Sequence, residues 1–195
     1  MTRILQAMAG APHGGAEAFF ERLSVALHHA GETQQLVIRR EPSRAARLRA
    51  AGLPVEELAF GRAFDFLSAR RFAATARTFE PRVVLTWMSR ATIYCPRGDF
   101  VHAARLGGYY DLRYYKNCHH LIGNTRGLTQ WMMKEGWPAE RVHYLPNFAE
   151  IAPAPPVPRA SLDTPADAPL AIALGRLHPN KGFDTLLAAV AKVPG

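Results

Sequence analysis

The sequence predicts an α/β protein, a doubly wound parallel sheet followed by the start of a second domain of the same kind. Three observations carry this. Short apolar runs suited to strands alternate with segments of helical apolar spacing. Glycines and prolines fall between them as stop signals. A proline-rich stretch then breaks the rhythm, and only one more strand and one more helix are expected before Gly195.

Taken in order, Arg3–Met8 is a short buried strand, followed by a turn rich in Gly and Pro at 9–14. Over 15–30 the apolar positions Ala18, Phe19, Leu23, Ala26 and Leu27 recur with helical spacing, and Gly31 is placed to end the helix. Residues 35–39 hold Leu36, Val37 and Ile38, a compact run suited to a parallel strand. Pro42 opens a basic helix at 43–51 that Gly52 closes, and 54–58 is a weaker strand. A helix is expected at 64–79, with strands at 82–86, 100–103 and 119–122. A helix at 124–135 and a strand at 141–145 complete the set. In this reading residues 1–150 are the first domain. Residues 151–168 are a linker stiffened by prolines, and 169–195 begin an incomplete second domain with a strand at 170–174 and a helix at 184–193.

Composition sets the limits. The 195 residues are 48% hydrophobic and 10% aromatic, enough for a real core, which excludes a disordered chain. No apolar run approaches the roughly 18–20 residues that span a bilayer. The N-terminus fits an opening strand better than a signal peptide, so a cytoplasmic location is expected. Cys95 and Cys118 exclude a disulfide scaffold. No metal site is expected either, because in Cys118-His119-His120 neighbours on a strand point to opposite faces.

The net charge of +8 is concentrated in residues 1–150, with 20 basic against 13 acidic side chains. Such a surface attracts nucleic acid, anionic lipid or phosphorylated small molecules. No recognisable nucleic-acid module accompanies the charge. The arginines at 44, 47 and 49, and those at 62, 70, 71 and 77 among phenylalanines, are either solvated helix faces or a surface for an anionic membrane.

Two loops carry candidate chemistry. In Gly10-Ala-Pro-His13-Gly14-Gly15-Ala16-Glu17 the adjacent glycines let backbone N–H groups approach a ligand at a helix N-terminus, although a tight strand-to-helix turn has the same composition. Neither the G-x-G-x-x-G dinucleotide spacing nor a Walker loop is present. Further on, Gly175-Arg176-Leu177-His178-Pro179-Asn180-Lys181-Gly182 places a forked guanidinium and a point charge around the start of a helix, an arrangement suited to a pyrophosphate.

Here the sequence resembles the large family of retaining glycosyltransferases with the GT-B fold, specifically family 4. GRLHPNKGFDTLLAA is similar to that family's GR-L-x-x-x-KG-x-D-x-L-x-x-A signature. GWPAERVHYLPNF at 136–148 resembles the segment closing its N-terminal domain, and His13-Gly14-Gly15-Ala16-Glu17 the loop after its first strand. The resemblance implies a Rossmann-like half of a GT-B fold with a truncated second half. It implies transfer of a sugar, with retention, from a nucleotide-sugar to a glycan or lipid-linked acceptor of the cell-envelope polysaccharide or lipopolysaccharide type.

Arg176 and Lys181, with Gly14 and Gly15, would bind the donor diphosphate. His102 would be catalytic. His13, Arg105 and Tyr109 would bind the acceptor. No metal and no cofactor beyond the nucleotide-sugar co-substrate are implied, nor any nucleic acid, and the protein would work in the cytoplasm, peripheral to the inner face of the membrane. The family's paired glutamates, eight positions apart, have no counterpart in these 195 residues. The chain alone is therefore expected to be inactive, and an inactive or non-enzymatic remnant is the alternative reading.

Overall fold

The computed structural model describes residues 1–61, 65–149, 153–165, 167–175 and 177–193. The chain falls into two units, Met1–Ala149 and Glu150–Gly195. In the first unit, seven strands form one parallel sheet: β1 (Arg3–Met8), β2 (Thr33–Arg39), β3 (Val55–Leu58), β4 (Val83–Trp87), β5 (Val101–Leu106), β6 (His120–Gly123) and β7 (Val142–Tyr144). Their order, β3-β2-β1-β4-β5-β6-β7, is that of a doubly wound, Rossmann-like sheet.

The helices are α1 (Gly15–His29), α2 (Pro42–Ala50), α3 (Phe66–Phe79), α4 (Met88–Tyr94) and α5 (Arg126–Lys134). Side-chain caps set three of the starts. Glu41 accepts from the Arg44 N–H, Asp65 from that of Ser68 and Thr125 from that of Leu128, each satisfying a first-turn donor. Gly31 and Gly52, at φ +86° and +82°, supply the left-handed turns that end α1 and α2.

Strand alternation divides the core. Met8, Leu36, Ile38, Leu85 and Trp87 point to one face, under Phe19 and Phe20 of α1 and Ala45 and Leu48 of α2. Leu5, Ala7, Val37 and Val84 point to the other, under Phe72 and Ala76 of α3 and Ala91 of α4. Ala104, Leu106 and Leu121 extend that second face beneath Leu128 and Met132 of α5. A buried amide network ties the centre. The Gln6 Nε2 donates to Gln34 Oε1 at 2.7 Å and Ser24 Oγ at 3.2 Å, while Gln6 Oε1 accepts from Trp87 Nε1 at 3.0 Å. Every hydrogen-bonding group of that Gln6 amide is satisfied, as a buried polar group requires.

Two expectations are corrected. Helix α4 was not foreseen, because seven residues that include Thr92 and Ile93 are too short and too β-branched to show a helical period. The strand expected at 170–174 does not form. Among the described residues the second unit contains no strand to pair with it, and Leu174 is 93% exposed. An unpaired strand leaves its N–H and C=O groups to water. That unit instead holds two short 3₁₀ turns, Arg159–Leu162 and Pro179–Lys181, and a helix α6 at Phe183–Val190.

Phe72 is fully buried, edge-on to Phe60 at 6.2 Å. Phe72→Ala is expected to lower stability by about 3–5 kcal/mol through lost burial and the cavity left behind, read as the shift in urea unfolding.

Candidate functional site

In a doubly wound sheet, ligands bind outside the carboxyl ends of the strands, where the strand order reverses. Here that point lies between β1 and β4. The register sets Met8 beside Trp87 and Trp87 beside Arg105, so the ends of β1, β4 and β5 are level. Directly after β4, Met88 adopts φ +60°. This left-handed backbone is costly for a side-chain-bearing residue and tends to occur at functional sites.

The 10–15 loop leaves β1 at this edge, and its glycines serve a purpose the sequence did not suggest. A Cβ on Gly10 or Gly14 would collide with the carboxylate of Glu17, which folds back from the first turn of α1 and accepts the Ala11 N–H at 2.8 Å. The Glu17 carboxyl group thus occupies the space beside Gly14, where a donor phosphate was expected. Nothing lies within 4 Å of the Cβ position of Gly15, which stays open. His13 is exposed at the loop's tip.

Arg44 of α2 holds the loop from behind. It is 1% exposed and donates from Nη2 to the carbonyls of Ala11 and Pro12, both at 2.9 Å, and from Nε to Glu21 at 3.1 Å. Among the described residues its Nη1 has no partner. Beside the loop lies a cleft of about 440 Å³ lined by His13, Gly14, Glu17, Arg22, Arg44 and Arg47. Carboxylates and guanidinium groups together suit a sugar, whose hydroxyls both donate and accept.

Arg105, at the end of β5, is 1% exposed and lies 4.4 Å from the ring centre of Phe19 and 4.9 Å from that of Trp87. Its Nη2 donates to Asn147 Oδ1 at 2.5 Å, but Nε has no partner and no carboxylate pairs with it among the described residues. Burial lowers its pKa to about 10, and it remains charged at neutral pH. The turn after β5 carries Gly107 in open space and Tyr109, exposed, its ring edge-on to Trp131 at 5.2 Å. Tyr110 is half-buried, its phenol pKa raised by burial and then by the charge of Glu17.

His102 does not join this group. It stands second in β5, three residues before Arg105, and on the opposite face of the sheet. Its Nε2 meets Thr86 Oγ1 at 2.9 Å and Cys118 Sγ at 3.8 Å, and its backbone N–H donates to His119 Nδ1 at 2.8 Å. Burial holds its pKa down at about 4, with His119 adding to the effect, so the ring is neutral at pH 7. The family resemblance implied a catalytic role for this residue. The structure buries its ring on the face of the sheet opposite Arg105, against Thr86 and Cys118.

In the second unit Lys181 is exposed at the end of its 3₁₀ turn, and its Cγ lies 3.6 Å from the Cβ position of Gly175. Arg176 lies outside the described residues. Among the described residues no group of three or more His, Cys, Asp or Glu is placed to hold a metal ion.

Of the expected residues, the sheet's edge brings together Gly14, Gly15, His13 and Arg105, with Tyr109 on its flank. Sequence reasoning gave no site role to Glu17, Trp87 or Asn147, and it set Arg44 on an exposed or membrane-facing helix surface, whereas that side chain is buried beneath the loop. Only Glu17 left a signal, an acidic residue in the first turn after the double glycine.

No family model matches the chain. It is 37% identical over 185 residues to the lipopolysaccharide core biosynthesis glycosyltransferase LpsD of Rhizobium meliloti (strain 1021), covering 92% of this chain and 53% of that protein. The chain therefore spans about half the length of that curated relative. Among solved structures, a glycosyltransferase from Rickettsia africae superposes with a TM-score of 0.61 at 14% identity, over 74% of this chain and 42% of that one. Anabaena HepE in complex with UDP-glucose gives 0.58 at 13%, over 75% and 44%. These likenesses establish the Rossmann-like α/β fold in common with solved glycosyltransferases.

Two measurements check the site's physics. Arg44→Ala should cost about 3 kcal/mol, because it leaves loop carbonyls and Glu21 without their buried donor, and should speed amide exchange across residues 10–15. The lowered pKa of His102 makes the unfolded chain bind the extra proton below about pH 6.5, so stability falls as pH drops from there towards 4. Between pH 7 and 5 the loss should be about 2 kcal/mol, and a His102→Asn variant should show a flatter profile in urea melts at the two pH values.

Proposed function

We propose that this chain is the acceptor-side half, with the beginning of the donor-side half, of a family 4 GT-B glycosyltransferase acting in lipopolysaccharide core assembly. The observation that carries the reading is 37% identity to a lipopolysaccharide core glycosyltransferase over 92% of the chain. Support comes from the open polar edge at the switch point of the sheet. HepE, of the same fold, is a complex with UDP-glucose, which favours a nucleotide-sugar donor.

In this proposal Arg176, Lys181 and the N-terminus of α6 hold the donor diphosphate and stabilise the charge that develops on it as the glycosidic bond breaks. Fixed positive groups can do this without a metal or a cofactor. The acceptor sugar lies along the cleft beside the 10–15 loop, with Glu17 and His13 available to its hydroxyls and Arg105 and Tyr109 at the far side. His102 is left out of the reacting set, because its ring is buried on the other face. Retention of configuration rests on the resemblance of the 175–184 signature. The remnant reading has less in its favour, since the similarity to an active-enzyme family runs through both the first unit and the donor signature.

A cytoplasmic, membrane-peripheral location fits an acceptor built on a lipid and the net charge of +8. Among the described residues no helix is long and apolar enough to cross a membrane.

In the complete protein, Lys181→Ala should raise the donor KM and lower kcat together, with a loss of roughly 30–100-fold in kcat/KM, the equivalent of about 2–3 kcal/mol for a charged hydrogen bond. Arg105→Met should raise the acceptor KM and leave the donor KM unchanged. Steady-state kinetics with unaltered constants would remove either residue from its role.

A further inference from the structure

We infer that a second cavity, behind the start of β5, is a binding site for a phosphorylated sugar. This goes beyond the proposed transfer and does not depend on it. The cavity has a volume of about 540 Å³, ample for one phosphorylated monosaccharide, and Arg97, Arg113, Lys116, Asn117 and His119 line it. Three basic side chains therefore share one hollow, Arg113 among them held by Asp111.

Among the described residues no carboxylate lines it. Asp111 is engaged by Arg113 through a 2.6 Å ion pair, and Arg97 also lines the adjoining cavity, with Arg77, Glu80 and Asp99. Arg97 and Lys116 make no hydrogen bond or ion pair among the described residues. His119 accepts the His102 N–H through Nδ1, so its neutral ring carries the proton on Nε2 and offers a further donor. Like charges gathered around a concave surface repel one another and favour an anion, through an attraction screened by water because Arg97, Arg113 and Lys116 are all exposed. The Asn117 amide and the His119 ring can bond the hydroxyls of a sugar carrying that phosphate.

The cavity is distinct from the switch-point edge. His102 contributes to its lining, and it precedes Arg105 by three residues of β5, about 10 Å at roughly 3.3 Å per residue. It also opens on the face of the sheet that carries α3 and α4, whereas Arg105 packs with α1. A ligand there would hold a phosphorylated portion of a large anionic acceptor or a soluble sugar phosphate, and the two sources can be separated experimentally.

The test uses the complete protein, with glucose 6-phosphate and glucose as calorimetric probes and vesicles of phosphatidylglycerol or phosphatidylcholine as lipid probes. Glucose 6-phosphate is expected to bind and glucose not to. The R97S/K116S double variant should bind the phosphate at least about tenfold more weakly, with an unchanged circular dichroism spectrum and an unchanged donor KM. Asp111→Asn, which frees Arg113 from its counter-charge, should bind it more tightly. Glucose 6-phosphate binding joined by phosphatidylglycerol co-sedimentation, both lost in the double variant, would point to a membrane-borne phosphorylated sugar, whereas binding confined to glucose 6-phosphate would identify a soluble one. If glucose 6-phosphate does not bind the wild type, or the double variant binds it as the wild type does, the site is overturned, and vesicle binding alone does not rescue it. Either result would leave the transfer reading standing on its own kinetics.

Discussion

The pairing of β1 with β4 is the constraint on which the rest of the first unit depends. These strands lie about eighty residues apart in the chain, yet Ile4 aligns with Val83 and Met8 with Trp87. Their contact reverses the direction of sheet growth and so creates the open crevice at the carboxyl edge. A side-chain hydrogen bond from Trp87 to Gln6 locks the same two strands inside the core. A one-residue slip would carry Trp87 to the opposite face and strand the Gln6 amide without its donor. The edge, the 10–15 loop and Arg105 all take their positions from this register.

Two buried arginines show how differently the fold treats charge. Arg44 is largely neutralised, by Glu21 and by two loop carbonyls, and its task is to fix the loop. Arg105 lies between aromatic rings with one amide oxygen for company. Cation–π contact offsets part of the desolvation, by about 2 kcal/mol at most per ring. A buried cation lacking a counter-ion is costly to keep. It stands at the switch-point edge, where the proposed acceptor would meet it.

The two ends of β5 have diverged in chemistry. At its carboxyl end the surroundings mix acid and base, with Glu17 and Arg105 at the crevice, and suit the hydroxyls of a sugar. Near its amino end Arg97, Arg113 and Lys116 gather around a cavity whose floor is apolar and neutral, because burial keeps His102 unprotonated at pH 7. Parallel strands make such a separation easy, since each end of the sheet is built by a different set of loops.

Much of this protein could be read from the chain alone. Apolar periodicity located the seven strands and the helices α1, α2, α3 and α5, because burial on one or both faces leaves its mark in local order. Gly31, Gly52 and Pro42 marked helix ends through backbone geometry that no neighbour can alter. The 175–184 motif raised the expectation of a phosphate-handling loop from residue types alone. Tertiary structure decided the remainder. Whether the His102 ring meets the crevice or the opposite face depends on how β5 pairs with its neighbours, and whether residues 170–174 become a strand depends on a partner that local sequence cannot supply. Arg105, among the described residues, is left without a counter-ion only because Phe19, Trp87 and Asn147 from distant segments surround it at one edge. Spacing along a chain encodes what a residue does to its own backbone, and only folding fixes which charge stands beside which.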